Sequence, residues 1–243
     1  MSPRPANRIL IEVAVENVEG AVKAQQCKAD RVELCSALEL EGLTPSIGMI
    51  REVRREIDLP VVVMVRPRPG NFVCTRAEFE VIRRDVDAAL AEGAAAVAVG
   101  FLTKGRKIDE ERCAVLAEQC GPGRAVFHRA FDLLRDPLAG LFALADLGFA
   151  RVLTSGGAAT AVEGIPTLAK LVDAVDGEIE VLAGGGVRPE NVRKIVRQTG
   201  CKQVHGAFSE SVLTAMGPLG QSRRQVTSDD LIRRMRRELD ASA

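Results

Sequence analysis

The chain has 243 residues, 47% of them hydrophobic, with 33 basic and 33 acidic side chains. Zero net charge offers no bulk field to nucleic acid or an anionic membrane, and with no Tyr, no Trp and eight Phe there is little for unpaired bases to stack on. No apolar run nears the ~18 residues that span a bilayer, the segment before Ile9 has no secretory core, and six scattered cysteines without Cys-x-x-Cys read as reduced cytosolic thiols.

Taken in chain order, short apolar runs alternate with amphipathic stretches. The predicted strands are 8-RILIEV-13, 31-RVEL-34, 61-VVVMVR-66, 96-AVAVG-100, 124-RAVFH-128, 151-RVLT-154, 178-EIEVLA-183 and 203-QVH-205. The intervals carry helical patterns, as βα units require. Thr75 and Glu78 read as a capping box before the third helix. Asp136-Pro137 reads as the N-cap and first position of the fifth. Gly93, Gly148 and Gly200 fall where helices should stop. Ser228 opens a last helix that runs to 239. The pattern predicts the α/β class and a single (β/α)8 TIM barrel over residues 1–243, with 1–7 as a flexible N-terminus. A doubly wound sheet would show a Gly-rich turn after the first strand, and residues 13–18 have none.

Strand side chains alternate between the helix layer and the barrel interior. With Ile9, Ile11 and Val13 outward, Leu10 and Glu12 point in. With Val32 and Leu34 outward, Arg31, Glu33 and Cys35 point in. Val62, Met64, Arg66 and Arg68 share one parity. Phe127 outward puts Val126 and His128 inside. Leu153 outward puts Thr154 inside, and Val204 outward puts His205 inside. Polar groups thus gather at the C-terminal ends of the strands, where barrels carry their sites. The run 184-GGGVRPENV-192 follows the seventh strand, and Gly184, Gly185 and Gly186 with a helix start suit an anion. Ser155-Gly156-Gly157 adds a close-approach turn after the sixth strand. Arg66, Arg68 and Arg129 would strengthen such a site through guanidinium recognition of carboxylate or phosphate, with Asp132, Thr154, Ser155 and His205 around it.

The strings 30-DRVELCS-36, 41-EGLTPS-46, 66-RPRPGNF-72, 127-FHRAFD-132, 151-RVLTSG-156 and 184-GGGVRPEN-191 resemble the CutC family, named for copper homeostasis. The resemblance runs from about Ile9 to Phe208. It implies a (β/α)8 barrel, a cytoplasmic protein that self-associates, and copper as a ligand. The family's proposed copper site uses two cysteines. One matches Cys35 and the other falls at Ala14, which has no ligand atom. The family's Arg-Gly-Gly-Asp-Phe is here Arg68-Pro69-Gly70-Asn71-Phe72, and its glycine pair before Leu-Thr-Pro is Glu41-Gly42.

Three functions stand as expectations. Copper would draw on Cys35, His128 and His205, with Cys74 at hand in the third loop. Cys27, Cys113, Cys120 and Cys201 read as small buried hydrophobes. A lyase- or isomerase-type enzyme on a small anionic or phosphorylated metabolite would use Glu12 and Glu33 as paired acid and base and His128 as proton carrier. A Schiff-base aldolase is disfavoured because no lysine sits at a strand end. A non-catalytic small-molecule-binding barrel is the third reading.

Overall fold

The computed structural model describes residues 8–175, 177–215 and 221–241. The segment 1–7, expected to be a flexible terminus, lies outside them. Eight parallel strands close into a barrel: β1 (Leu10–Val15), β2 (Arg31–Leu34), β3 (Val61–Met64), β4 (Ala96–Val99), β5 (Ala125–Phe127), β6 (Arg151–Thr154), β7 (Glu180–Ala183) and β8 (Gln203–Gly206), with β8 pairing back onto β1. The helices between them are α1 (Val18–Gln26), α2 (Ile47–Glu56), α3 (Arg76–Ala91), α4 (Glu110–Cys120), α5 (Pro137–Asp146), α6 (Ile165–Ala174) and α7 (Pro189–Thr199), and α8 (Asp229–Asp240) ends the described chain. This is the predicted (β/α)8 barrel.

Local chemistry explains the boundaries. Asn17, Ser46, Thr75, Asp109, Asp136 and Ser228 each accept a backbone N–H of the first helical turn that would otherwise go unpaired. Thr75 and Glu78 make the predicted reciprocal capping box. Gly93, Gly148 and Gly200 stand at positive φ just past α3, α5 and α7.

The strands carry two cores. The outer one packs Ile11, Val13, Val32, Leu34, Val63, Val97, Phe127 and Val204 against the helix ring. The inner one is apolar on one side only, where Cys35, Val62, Met64, Ala96, Ala98 and Val126 meet. On the β8–β1–β2 side the interior is filled by Glu12, Arg31, Gln203 and His205, all buried. That half-polar filling sets titratable groups on one side of the barrel interior and leaves the other side a packing wall.

Two features depart from the sequence reading. Val152 joins the outer core and pairs with outward Phe127, so Leu153 points inward and Thr154 outward, the reverse of the parity expected. Gly184, directly after β7, is the reason: a Cβ there would lie 2.5 Å from Leu153 Cδ1, so the missing side chain makes the space that Leu153 fills. Second, residues 209–227 contain an antiparallel ribbon, β9 (Ser209–Ala215) with β10 (Gln221–Thr227), for which no element was expected.

Gly100, directly after β4, gives the His128 ring its room. A Cβ at this position would lie 2.3 Å from Cε1 of His128 and 3.0 Å from the Ala130 Cβ. Gly100→Ala should therefore overpack the site and destabilise the fold by about 1–3 kcal/mol, with a moved His128 imidazole resonance. Phe149→Ala, in the outer core and without a ring contact to His128 among the described residues, should cost about 3–5 kcal/mol without that selective signal. Urea unfolding together with imidazole NMR checks both.

Candidate active site at the barrel mouth

Pairing register brings the floor of the site together. Glu12 lies opposite both Arg31 on β2 and His205 on β8, and Ala14 lies opposite Glu33. Arg31 pairs with Glu12 Oε2 through Nε and donates through Nη2 to Gln203 Oε1 at 2.8 Å. His205 Nδ1 is 2.9 Å from Glu12 Oε1, and its Nε2 is 3.7 Å from Glu33 Oε2. The Cys35 thiol donates to Glu33 Oε2 at 3.4 Å. Three adjacent strands thus supply one line, Gln203–Arg31–Glu12–His205–Glu33, closed below by packing and open above.

The line separates the two carboxyls electrostatically. Burial would raise the Glu12 pKa, but Arg31 and His205 outweigh it and hold it well below the carboxylate range. Burial raises Glu33, and the neighbouring Glu12 charge adds to the rise against the pull of His205. Burial alone would lower His205, yet Glu33 and Glu12 reverse the sign and raise it. Glu12 is the fixed anion, His205 the cation it orients, and Glu33 the group whose proton is least tightly determined.

His128 behaves differently. It caps the short 3-10 helix Arg129–Leu133, with Nδ1 accepting the Ala130 N–H at 3.2 Å. Burial, helped by the Arg66 charge, lowers its pKa to about 3. It is a neutral imidazole with its proton on Nε2, a hydrogen-bond donor at neutral pH and not the proton carrier the sequence suggested. The Phe72 ring sits 5.0 Å from it and also covers the Arg66 guanidinium at 4.9 Å.

A cavity of about 240 Å³ opens above the floor, bordered by Glu33, His205, His128, Arg66, Arg129, Met64, Leu153, Phe72 and the turns Gly185-Gly186 and Gly206-Ala207. No lysine lines it. Arg129 is aimed there by its neighbours. Asp132 Oδ2 accepts its Nε at 2.8 Å, Ser155 Oγ lies 3.4 Å from Nη2, and the guanidinium lies against Gly185. Gly185 has φ +94°, which favours glycine, and a Cβ there would stand 3.0 Å from Ser155 Cβ.

Several expected ligand-binding residues do other work. Asp132 Oδ1 accepts from Thr154 Oγ1 at 2.5 Å, from Ser155 N at 2.9 Å and from Gly157 N at 3.1 Å. The turn after β6 is therefore already filled by the protein's own carboxylate, and Asp132, Thr154 and Ser155 hold Arg129 in place without lining the cavity. Arg68 is paired with Glu78 and donates to the Pro69, Asn71 and Val73 carbonyls, so it organises the loop after β3 and leaves the cavity to Arg66. Gly184 makes room for Leu153 and His205 rather than bordering the space. Of the expected set, Glu33, His205, His128, Arg66, Arg129, Gly185 and Gly186 converge, with Glu12 directly beneath. Gln203 was missed, although its parity with His205 in QVH marks it as inward. Phe72 was read only as part of a string, and Met64 only as sharing the parity of Arg66.

The donor set fits the family's two-thiol copper site poorly. Cys35 is completely buried beneath Gly42, and burial with the Glu33 charge keeps its thiol protonated far above its ordinary pKa. Ala14 stands at the cavity in place of the second thiol. One ligand atom each from Glu12, Glu33 and His205 lie within 4.8 Å of one another, but Glu12 already gives one oxygen to Arg31 and the other to His205. Among the described cysteines, Cys27, Cys113, Cys120 and Cys201 are buried in the outer core.

Comparison with known proteins agrees with the strings at the strand ends. The sequence pattern of the CutC family matches residues 9–210. The copper homeostasis protein cutC homolog of Homo sapiens is 43% identical over 200 residues, covering 82% of this chain and 73% of its own. A Rhizobium meliloti family protein CutC is 39% identical over 243 residues, 98% of each chain. The crystal structure of the putative copper homeostasis protein CutC from Streptococcus agalactiae superposes with a TM-score of 0.77 at 36% identity, over 82% of this chain and 98% of that one. Phosphoribosylanthranilate isomerase from Pyrococcus furiosus shares the barrel alone, at a TM-score of 0.60 and 12% identity, over 96% of this chain and 100% of that one. With a matching family pattern across the barrel and relatives near 40% identity along most of its length, the chain belongs to the CutC family.

Proposed function

We propose that the chain is an enzyme of the lyase or isomerase type that binds a small anionic or phosphorylated metabolite and moves a proton between it and the Glu33–His205 pair. The observation that carries this is the Glu12–His205–Glu33 line opening into a cavity that two arginines border. Glu12 holds the imidazole through Nδ1, so Nε2 faces Glu33 and the ligand, as an acid–base group needs. Glu33 takes or returns the proton at an oxygen, and neutral His128 donates a hydrogen bond through Nε2 to a developing oxyanion. Arg129 and the Gly185–Gly186 turn hold the anionic group. A cytoplasmic setting suits six unpaired cysteines, five of them buried. No helix among the described residues is long and apolar enough to cross a membrane.

Copper is the second reading, favoured by the names of the relatives and by the convergence of Glu12, Glu33 and His205 beside Cys35. Thiol and imidazole suit Cu(I), but a metal would have to displace the Cys35 proton and sit near Arg31. Chelator competition separates the two readings. Weak Cu(I) affinity, equal in the wild type and Cys35→Ala, accords with the enzyme; tight binding lost in Cys35→Ala would replace it with the copper site.

Inorganic phosphate should bind the wild type measurably by calorimetry and at least about tenfold more weakly to Arg129→Ala. Absence of phosphate binding in the wild type would sink the anion pocket. In a screen of phosphorylated metabolites, turnover should vanish in Glu33→Gln. Binding without turnover in the wild type would leave a non-catalytic ligand-binding barrel.

The protonation states are directly observable because the chain has only two histidines. Imidazole NMR should show His205 protonated above the usual His range, falling in Glu12→Gln, while His128 stays neutral throughout. The stability signs are opposite. His205, raised in the fold, stabilises below its unfolded pKa of about 6.5, and that contribution is lost as pH rises through the folded value. His128, lowered to about 3, stabilises above about 6.5, and its contribution is lost as pH falls toward the folded value. Between about pH 5.5 and 4.5 the wild type should therefore lose about 1.4 kcal/mol relative to His128→Asn, by urea unfolding.

A further inference from the structure

Arg66 is a buried cation without an ion-pair partner among the described residues. It is 6% exposed, no carboxylate lies within ion-pair distance among the described residues, and its partners are the carbonyls of Leu40, Gly42 and Gly70 at 2.9, 3.2 and 3.1 Å. Its Nε is buried with no hydrogen-bond partner. A guanidinium in that state is costly unless something anionic completes it. Glu41 borders the same cavity and offsets part of the charge through space from beyond ion-pair distance, and the Phe72 ring covers only the guanidinium face.

Its location says what completes it. Arg66 braces the loops after β2 and β3, whereas Arg129 rests on the loops after β6 and β7. In an eight-strand ring these pairs of strands stand four apart, so the two guanidiniums border the one cavity from opposite sides, with Glu33 and His205 between them at the floor. The anchoring differs as well. Arg129 uses Nε on Asp132 and Nη2 on Ser155, leaving Nη1 without a partner among the described residues, beside the glycine turn. Arg66 has its Nε left over, on the edge that pairs with a planar carboxylate.

Resting on the anion-pocket reading, we infer that the ligand carries two anionic groups, a phosphate-like one at Arg129 with Gly185 and Gly186 and a carboxylate at Arg66, so that the bond worked on lies between them over Glu33 and His205. A cavity of about 240 Å³ suits a short phosphorylated hydroxy or keto acid.

Phosphonoacetate, 3-phosphonopropionate and 4-phosphonobutyrate test this by calorimetry on the full chain at pH 7, each against the alkylphosphonate of equal length. At least one phosphonocarboxylate should bind about tenfold or more tightly than its alkyl counterpart, and Arg66→Gln should abolish that advantage while the alkylphosphonate affinity stays. Because Arg66 braces two loops, the comparison on the wild type decides even where the variant fails to fold. Equal affinities across every pair would overturn the two-anion ligand and leave the anion pocket standing. No binding of any phosphonate would overturn both.

Discussion

Glu12 sits inside the barrel with 1% of its surface exposed, where an unpaired carboxylate would cost several kcal/mol. Its charge is kept by Arg31 on one oxygen and His205 on the other, and Gln203 fixes Arg31 in turn. Each partner comes from a strand adjacent to β1, so the requirement is met only if β8 closes onto β1 in the observed register. Barrel closure and the state of the site are therefore one constraint. Once Glu12 is fixed as an anion, His205 is fixed as its cation, and Glu33 becomes the group with an adjustable proton. Cys35, beneath it, is kept a thiol by the same field.

The two arginine walls solve a related problem by different means. Arg129 is held by an acid, Asp132, whose other oxygen collects two backbone N–H groups and a hydroxyl from the turn after β6. The turn looks like an anion nest, and it already contains its anion. Arg66 is held by neutral carbonyls, so its charge is preserved for the cavity and depresses His128 from the side. One cation is neutralised and aimed; the other is buried without an ion-pair partner among the described residues. Both guanidiniums border the one cavity, although the chain as a whole is neutral.

Much of this was legible in the sequence where alternation on a parallel strand is strict. Glu12, Glu33, His128 and His205 were all placed inward correctly, because each is followed or preceded by an outward Val, Leu or Phe that the helices must cover. The reading failed at β6, where Leu153 was placed outward and Thr154 inward. Nothing in RVLT says that Gly184, about thirty residues on, opens a space inside the barrel. It also failed for loop residues. Arg68 shares the parity of Arg66, but beyond the last ladder bond parity has no meaning, and Glu78 from the capping box captures it. Protonation was not legible either: burial lowers both histidines of like strand position, and only at His205 do neighbouring carboxylates, Glu33 and Glu12, reverse the sign.

The departures from the family pattern fit the same electrostatic account. Where the family string has a loop carboxylate, Asn71 offers Oδ1 to Val73 N at 3.3 Å and to Arg68 Nη2 at 3.4 Å. Those are the turn-making bonds a carboxylate would have made, and Arg68 remains neutralised by Glu78. The amide thus keeps the loop geometry while removing one negative charge from the rim next to Phe72 and Arg66. Ala14 acts in the same direction, since a thiolate there would stand beside Glu33 and compete with a ligand anion for the cations of the cavity. Both changes take an anionic or potentially anionic group away from the cavity that Arg66 and Arg129 border.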